Sequence, residues 1–265
     1  NDANTNEEKY KNVGAYVGGE GSKIKVTGNA LINGIGAFAE NKGNVVISGT
    51  RGILNSGNST ALAALNGGNI KIDGDVEAKD AWATNMVDKS LLYKNIGAYA
   101  DGQGTKVTVS GNAKINGLGA FANDGGRVVI SGNASVLNSG ESTALAAKSG
   151  GNVTFGGGDI NVGNNATDKS TPFYADANAN SKINFTGLTK VNMTKGAFLV
   201  GQPSDYQAAV ATTNADGQIT GGTKYNGMSN VELTVSGDAK IVRNKDIPHT
   251  ITWAGPGSLA ANVQA

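Results

Sequence analysis

The chain has 265 residues, among them 40 Gly, 32 Asn, 4 Pro and no Cys, with a formal net charge of +1. Gly at about 15% is twice its usual share, yet the low Pro count and 38% hydrophobic residues argue for a turn-rich β fold rather than disorder. The lack of Cys excludes a disulfide framework, a thiolate metal site and a cysteine nucleophile, and the single His249 argues against a histidine-based catalytic or metal centre. Near-neutral charge gives no overall field favouring nucleic acid or an anionic membrane. No apolar run approaches the roughly 20 residues of a transmembrane helix, and Asn1 does not open a signal peptide. A start without Met reads as a processed protein or an excised piece.

In chain order, residues 1–9 are a polar extension, residues 10–245 a repeating body and residues 246–265, with Pro248, Trp253 and Pro256, a cap or exit segment. The body is internally duplicated. Residues 10–74 laid over 93–157, an offset of 83, give 40 identities in 65 positions. Thus Tyr10-Lys11-Asn12-Val13-Gly14-Ala15-Tyr16 returns as Tyr93-Lys94-Asn95-Ile96-Gly97-Ala98-Tyr99. The duplicated units are 10–92 and 93–171, followed by irregular coils.

A finer period runs inside each unit. A β-branched residue, any residue, an apolar residue, a small residue and Gly recur at Ile24–Gly28, Val45–Gly49, Ile70–Gly74, Val107–Gly111, Val128–Gly132, Val153–Gly157, Ile183–Gly187 and Val235–Gly237 with Leu233 before it. The Gly-to-Gly steps are 21, 25, 37, 21, 25, 30 and 50. After this period-2 strand signal comes a second run ending in Asn, at Asn33, Asn55, Asn116, Asn138 and Asn192. The third run is Gly-Ala-aromatic-Ala or Ala-Leu-Ala, which aligns Tyr16, Phe38, Leu62, Tyr99, Phe121, Leu145, Tyr174 and Phe198. Three short strands and three turns in coils of 21–25 residues, some with loop insertions, predict an all-β parallel β-helix solenoid. Right-handed winding is expected from the crossover rule. Eight to ten coils at about 4.8 Å each give a rod on the order of 40–50 Å long.

Most repeated residues read as structural. The Asn column reads as an internal ladder at a strand end, where Asn also tolerates the left-handed conformation. The aromatic/Leu column reads as a core stack, with a carbohydrate platform as the alternative if it faced outward. Gly156-Gly157-Gly158-Asp159-Ile160 is one imperfect copy of a calcium-binding nonapeptide, too little for a metal site. Asp73, Asp75 and Glu77 read as a solvated strand face alongside Lys71, because the duplicate replaces Asp73 with Gly156 and Asp75 with Gly158. No nucleophile elbow or phosphate loop occurs, so the expectation is a non-enzyme without cofactor or metal.

Interruptions of the rhythm sit on the rim of a solenoid and are the better functional candidates. The insertion from Lys79 to Leu92 holds Trp82, Met86, Leu91 and Leu92 in a chain poor in large apolar residues, and Tyr93 follows. Trp82, Met86, Leu91 and Tyr93 are the candidate partner-binding residues; the plainer reading is that Trp82 folds back and covers the rod. A second interruption, Gly201 to Asn230, carries Tyr206 and Tyr225.

The Val-x-Val-Ser-Gly-Asn-Ala run at Val107–Ala113, the Ile-Asn turns and the Gly-Ala-Phe-Ala rungs resemble passenger domains of bacterial type V autotransporters, and are similar to large fusobacterial outer-membrane adhesins. The likeness covers roughly residues 10–245 and its motifs are structural. It implies a right-handed β-helix displayed at the bacterial cell surface by a C-terminal membrane barrel, here a fragment without signal peptide or barrel. Such a passenger would act as an adhesin or stalk toward host or bacterial surface protein or glycan, with no nucleic-acid partner. The alternative is a carbohydrate-active β-helix such as a polysaccharide lyase, hydrolase or phage tailspike.

Overall fold

The computed structural model describes residues 13–30, 32–33, 35–49, 54–55, 60–78, 96–132, 135–139, 143–163, 166, 170–175, 180–200 and 225–243. These residues build strands and turns, with a 3-10 turn at Met228–Asn230 and no α-helix among them. Each coil visits three parallel sheets in turn. The first sheet stacks Val13–Gly18, Ile35–Glu40, Leu62–Leu65, Ile96–Asp101, Leu118–Asn123, Thr143–Ala147 and Thr171–Ala175. The second stacks Lys23–Val26, Asn44–Ile47, Asn69–Ile72, Lys106–Val109, Arg127–Ile130, Asn152–Phe155, Lys182–Phe185 and Tyr225–Asn226. The third stacks Val76–Ala78, Ala113–Asn116, Ser135–Asn138, Gly158–Val162, Thr189–Met193 and Val231–Val235. Two further parallel pairs join Ile32–Asn33 to Leu54–Asn55 and Ala197–Val200 to Lys240–Arg243. The chain is a parallel β-helix, as its periodicity predicts.

Register follows the duplication. In the second sheet Ile24, Val45, Ile70, Val107, Val128, Val153, Ile183 and Tyr225 lie side by side, so successive coils advance by 21, 25, 37, 21, 25, 30 and 42 residues. The first six steps equal those expected from the Gly spacing. The last does not, because Leu233 and Val235 belong to the third sheet, beside Val191 and Met193.

The cause is that the small-residue-plus-Gly signature is a corner device, usable after either strand. Ser48 and Ser131 donate their hydroxyls to the carbonyls of Val26 and Val109 one coil back, at 3.3 Å each. Ser236 does the same to Met193, also at 3.3 Å, at a third-sheet corner. The Gly that follows is required by close approach. A Cβ on Gly132 would strike the Gly111 carbonyl and come within 2.7 Å of Asn112 Cα, and one on Gly111 would come within 2.7 Å of the Asp75 amide nitrogen. A hydrogen is the largest group that fits between coils at this corner.

Inward residues of all three sheets merge into one column. Val107 and Val109, Ile115, Leu137, Ile160 and Val191 are all buried within it. Full burial of a side chain such as Leu137, 0% exposed, contributes roughly 1.5–3 kcal/mol. At the C-terminal end the column becomes aromatic. The Phe173 ring centroid lies 5.2 Å from Phe185, 5.5 Å from Phe198 and 5.2 Å from Tyr225. Tyr225 thus lies in the core rather than on a rim loop, against the expectation for the second interruption. Its hydroxyl accepts the Ala175 N–H at 3.2 Å, and burial pushes its phenol far above the ordinary range.

The Asn ladder forms on the outward side of the third sheet. Asn138 Nδ2 donates to Asn116 Oδ1 at 2.7 Å, Asn161 to Asn138 at 3.1 Å and Asn192 to Asn161 at 3.3 Å. These Asn lie within strands; the left-handed residues occupy another corner, between the first and second sheets, where Asn41, Lys42, Asn66, Asp124 and Ser149 have φ of 46° to 65°. Ladder and left-handed turn are therefore separate devices.

Through the duplicated coils, length varies mainly at one corner; beyond them the longest link, twenty-four residues from Val200 to Tyr225, leads into the second sheet. Between the third sheet and the next first-sheet strand, the link ranges from one residue, Asn116 to Leu118, to seventeen, Ala78 to Ile96. From first to second sheet it stays between three and six residues.

Candidate functional site

The outward side of the first sheet carries the least expected feature. Tyr16, Phe38, Ala63, Tyr99, Phe121, Ala146 and Tyr174 form one register column, while Ala37, Leu62, Ala98, Ala120, Leu145 and Phe173 form the neighbouring inward one. The aromatic/Leu column expected as a single core stack is therefore two columns on opposite faces. Leu62 and Leu145 point into the core, and Phe198 joins them there. Tyr16, Phe38, Tyr99, Phe121 and Tyr174 point away from it. Aligning each rung by its largest residue slips Ala-Leu-Ala-Ala by one position against Gly-Ala-Phe-Ala, and a one-residue slip in a strand exchanges faces.

The outward rings are unequally covered. Phe38 and Tyr99 are buried in a second apolar cluster with Ala63, Leu65 and Ile96, against which Val13, Ile35, Leu118 and Phe121 pack. Tyr16 is 40% exposed, and Phe121 and Tyr174 are half-buried. Tyr16 stacks on Phe38 with centroids 5.7 Å apart and planes at 29°; Tyr99 and Phe121 lie 5.2 Å apart at 48°. Lys148 Nζ sits 5.4 Å from the Tyr174 ring centroid.

Two positions further along these strands runs a mostly polar column, in which Glu40, Leu65, Asp101 and Asn123 are in register. Tyr16 Oη donates to Glu40 Oε1 at 2.7 Å, and Asn123 Nδ2 donates to Asp101 Oδ1 at 2.9 Å. Ring faces beside carboxylate and amide groups suit a ligand presenting both an apolar face and hydroxyl or amide donors.

The carboxylate run divides around a corner instead of lining one strand. Lys71 lies in the second sheet, Asp73 and Asp75 in the turn, and Glu77 in the third sheet. Each carboxylate has its own partner: Lys71 Nζ at 2.7 Å from Asp73, the Asn112 N–H at 2.8 Å from Asp75 Oδ1, and Lys114 Nζ at 3.7 Å from Glu77. Asp75 and Glu77 tie one coil to the next and Asp73 pairs within its own, so the three do not converge on a common point. Asp159 lies in a third-sheet strand between Val136 and Lys190, two residues before Asn161 of the amide ladder.

Trp82, Met86, Leu91 and Tyr93 lie outside the described residues, as does Tyr206. No group of three or more His, Cys, Asp or Glu able to hold a metal ion occurs among the described residues. No protein-family model, curated protein or solved structure matches this chain.

Proposed function

We propose that this chain is a stretch of a surface-displayed passenger rod, of the autotransporter kind its repeats resemble, that attaches a bacterium to host or other bacterial cells. The observation that carries the attachment half is the outward aromatic column, in which Tyr16, Phe121 and Tyr174 keep part of their rings exposed, beside Asp101 and Asn123, while Phe38 and Tyr99 support them from beneath. The display half rests on the resemblance together with an unbranched stack of parallel coils, a shape suited to holding contact surfaces away from a membrane. In this reading the rod is not catalytic: Asp75 and Glu77 serve coil-to-coil pairing and Asp73 holds Lys71 within its coil.

The test is attachment of chain-coated beads to epithelial and bacterial cells. Tyr16→Ala with Phe121→Ala, and separately Trp82→Ala, should reduce bead binding while leaving the thermal unfolding midpoint within a few degrees. Beads that bind no cell type would overturn attachment and leave a plain stalk. New reducing ends or unsaturated products from a polysaccharide panel would overturn the non-catalytic reading.

A further inference from the structure

The second sheet presents a different outward face. Lys23, Lys25, Lys71, Lys106, Arg127 and Lys182 all project from its strands and are exposed. One register row reads Lys23, Asn44, Asn69, Lys106, Arg127, Asn152 and Lys182, so each of seven consecutive coils places an ammonium, guanidinium or amide N–H donor there. No Asp or Glu occurs within these strands. The nearest carboxylate is Asp73 at a strand end, 2.7 Å from Lys71. A net charge of +1 thus conceals a cationic face on one side and, on the first sheet, a face bearing Glu40 and Asp101.

Stacking does not demand these cations. Asn44 stands in the first copy where Arg127 stands in the second, and both fit the same ladder. Placing Lys106 directly beside Arg127 sets like charges opposite each other, which opposes folding unless an anion intervenes. The seven-coil row is straight and on the order of 30 Å long.

We propose that this face binds a linear anionic polysaccharide, sulfated or rich in uronate, lying along the rod axis. A straight row of donors repeating at coil spacing matches a polymer whose charges also repeat, and many weak contacts then act together. Single-stranded nucleic acid fits less well, because no aromatic ring projects from this face to stack a base. A bilayer fits less well too: Tyr16 and Leu188, the exposed large hydrophobic residues among those described, both lie elsewhere. As the contact that attaches the rod to a cell, this face rests on the attachment reading above; as a property of the purified chain it is measured separately.

The probe is heparin, with neutral dextran, a 20-base-pair DNA duplex and phosphatidylserine/phosphatidylcholine vesicles as comparators. The purified chain should bind heparin at physiological salt and not dextran, with affinity falling steeply as salt rises. Lys106→Glu with Arg127→Glu should weaken binding at least tenfold, whereas Lys114→Glu with Lys190→Glu on the third sheet should change it less than twofold. If the charge reversal fails to fold, by circular dichroism, Lys106→Gln with Arg127→Gln should still weaken binding severalfold. Absence of heparin binding, indifference to both second-sheet variants, or tighter binding of DNA or vesicles than of heparin would overturn the proposal. Heparin binding without attachment of beads to cells would sink the attachment reading alone; attachment to cells by a chain that does not bind heparin would sink this one alone.

Discussion

The two ends of the rod fill their interiors differently. Through the duplicated coils, the inward positions of the first sheet are Ala37, Leu62, Ala98 and Ala120, facing Val and Ile from the second sheet. Leu145 repeats Leu62, and the change comes at the next coil, where Phe173 takes the same column and Phe185, Phe198 and Tyr225 gather around it. The change does not follow coil length, because the 37-residue step from Ile70 to Val107 keeps Ala98 at the same inward position. The duplicated coils keep their section with small and β-branched residues repeated in register and the later ones with rings, and the hydroxyl that comes with Tyr225 accepts the Ala175 N–H. Regular packing is therefore distributed over many equivalent rungs at one end and concentrated around one ring at the other.

That contrast can be broken most directly at Phe173. Phe173→Ala should destabilise the C-terminal coils by about 4 kcal/mol, more than Leu62→Ala at the equivalent inward position, where small neighbours leave less to collapse. Equal costs, by chemical denaturation monitored with circular dichroism, would mean that the aromatic cluster is not a concentrated support. In the regular coils the corner should be more sensitive than the core: Gly132→Val should cost about 3 kcal/mol through its clash with Gly111, and hydrogen exchange should show the loosening centred on strands Lys106–Val109 and Arg127–Ile130. Exchange spread evenly along the rod would argue against local support by neighbouring coils.

A smaller effect separates the ends by pH. Tyr225 has its phenol raised by burial, so above the ordinary tyrosine value of about 10 the unfolded chain loses this proton while the folded one keeps it. Stability from this group is complete below that pH and falls as pH rises past it. Tyr225→Phe should cost about 1.5 kcal/mol near neutrality, by leaving the Ala175 N–H without its acceptor, and should flatten the alkaline decline. An unchanged alkaline slope would place the titration elsewhere.

Much of this architecture is legible in the amino-acid order because each coil repeats the same three solutions. A β-branched residue, any residue, an apolar residue, Ser and Gly encode an inward pair, a hydroxyl bond to the coil below and a corner with no room for a side chain, as Val128 to Gly132 shows. The same economy misleads at Val235-Ser236-Gly237, since the corner device does not say which strand it ends. The aromatic column was harder still. Alternation gives a face only when the register is known, and Leu62 against Phe38 looks aligned by size while the backbone pairs Leu62 with Ala37. The cationic row of the second sheet is invisible to net charge, because Lys23, Lys106 and Arg127 are dispersed along the chain and meet only when coils stack. Trp82 and its neighbours stand out by composition, a signal that carries no geometry.

The corner between the third sheet and the next first-sheet strand has one further consequence. Two corners are gauged, one by glycines that exclude any side chain and the other by links of three to six residues, whereas this one spans anything from one residue to seventeen. Most length variation among the duplicated coils is thereby pushed toward a single edge of the rod, like tabs along the spine of a file. Foreign peptides grafted between Ser139 and Thr143 would leave and rejoin the stack on the same edge as the Trp82 segment, so the molecule is a natural scaffold for arranging several epitopes in a line at coil spacing.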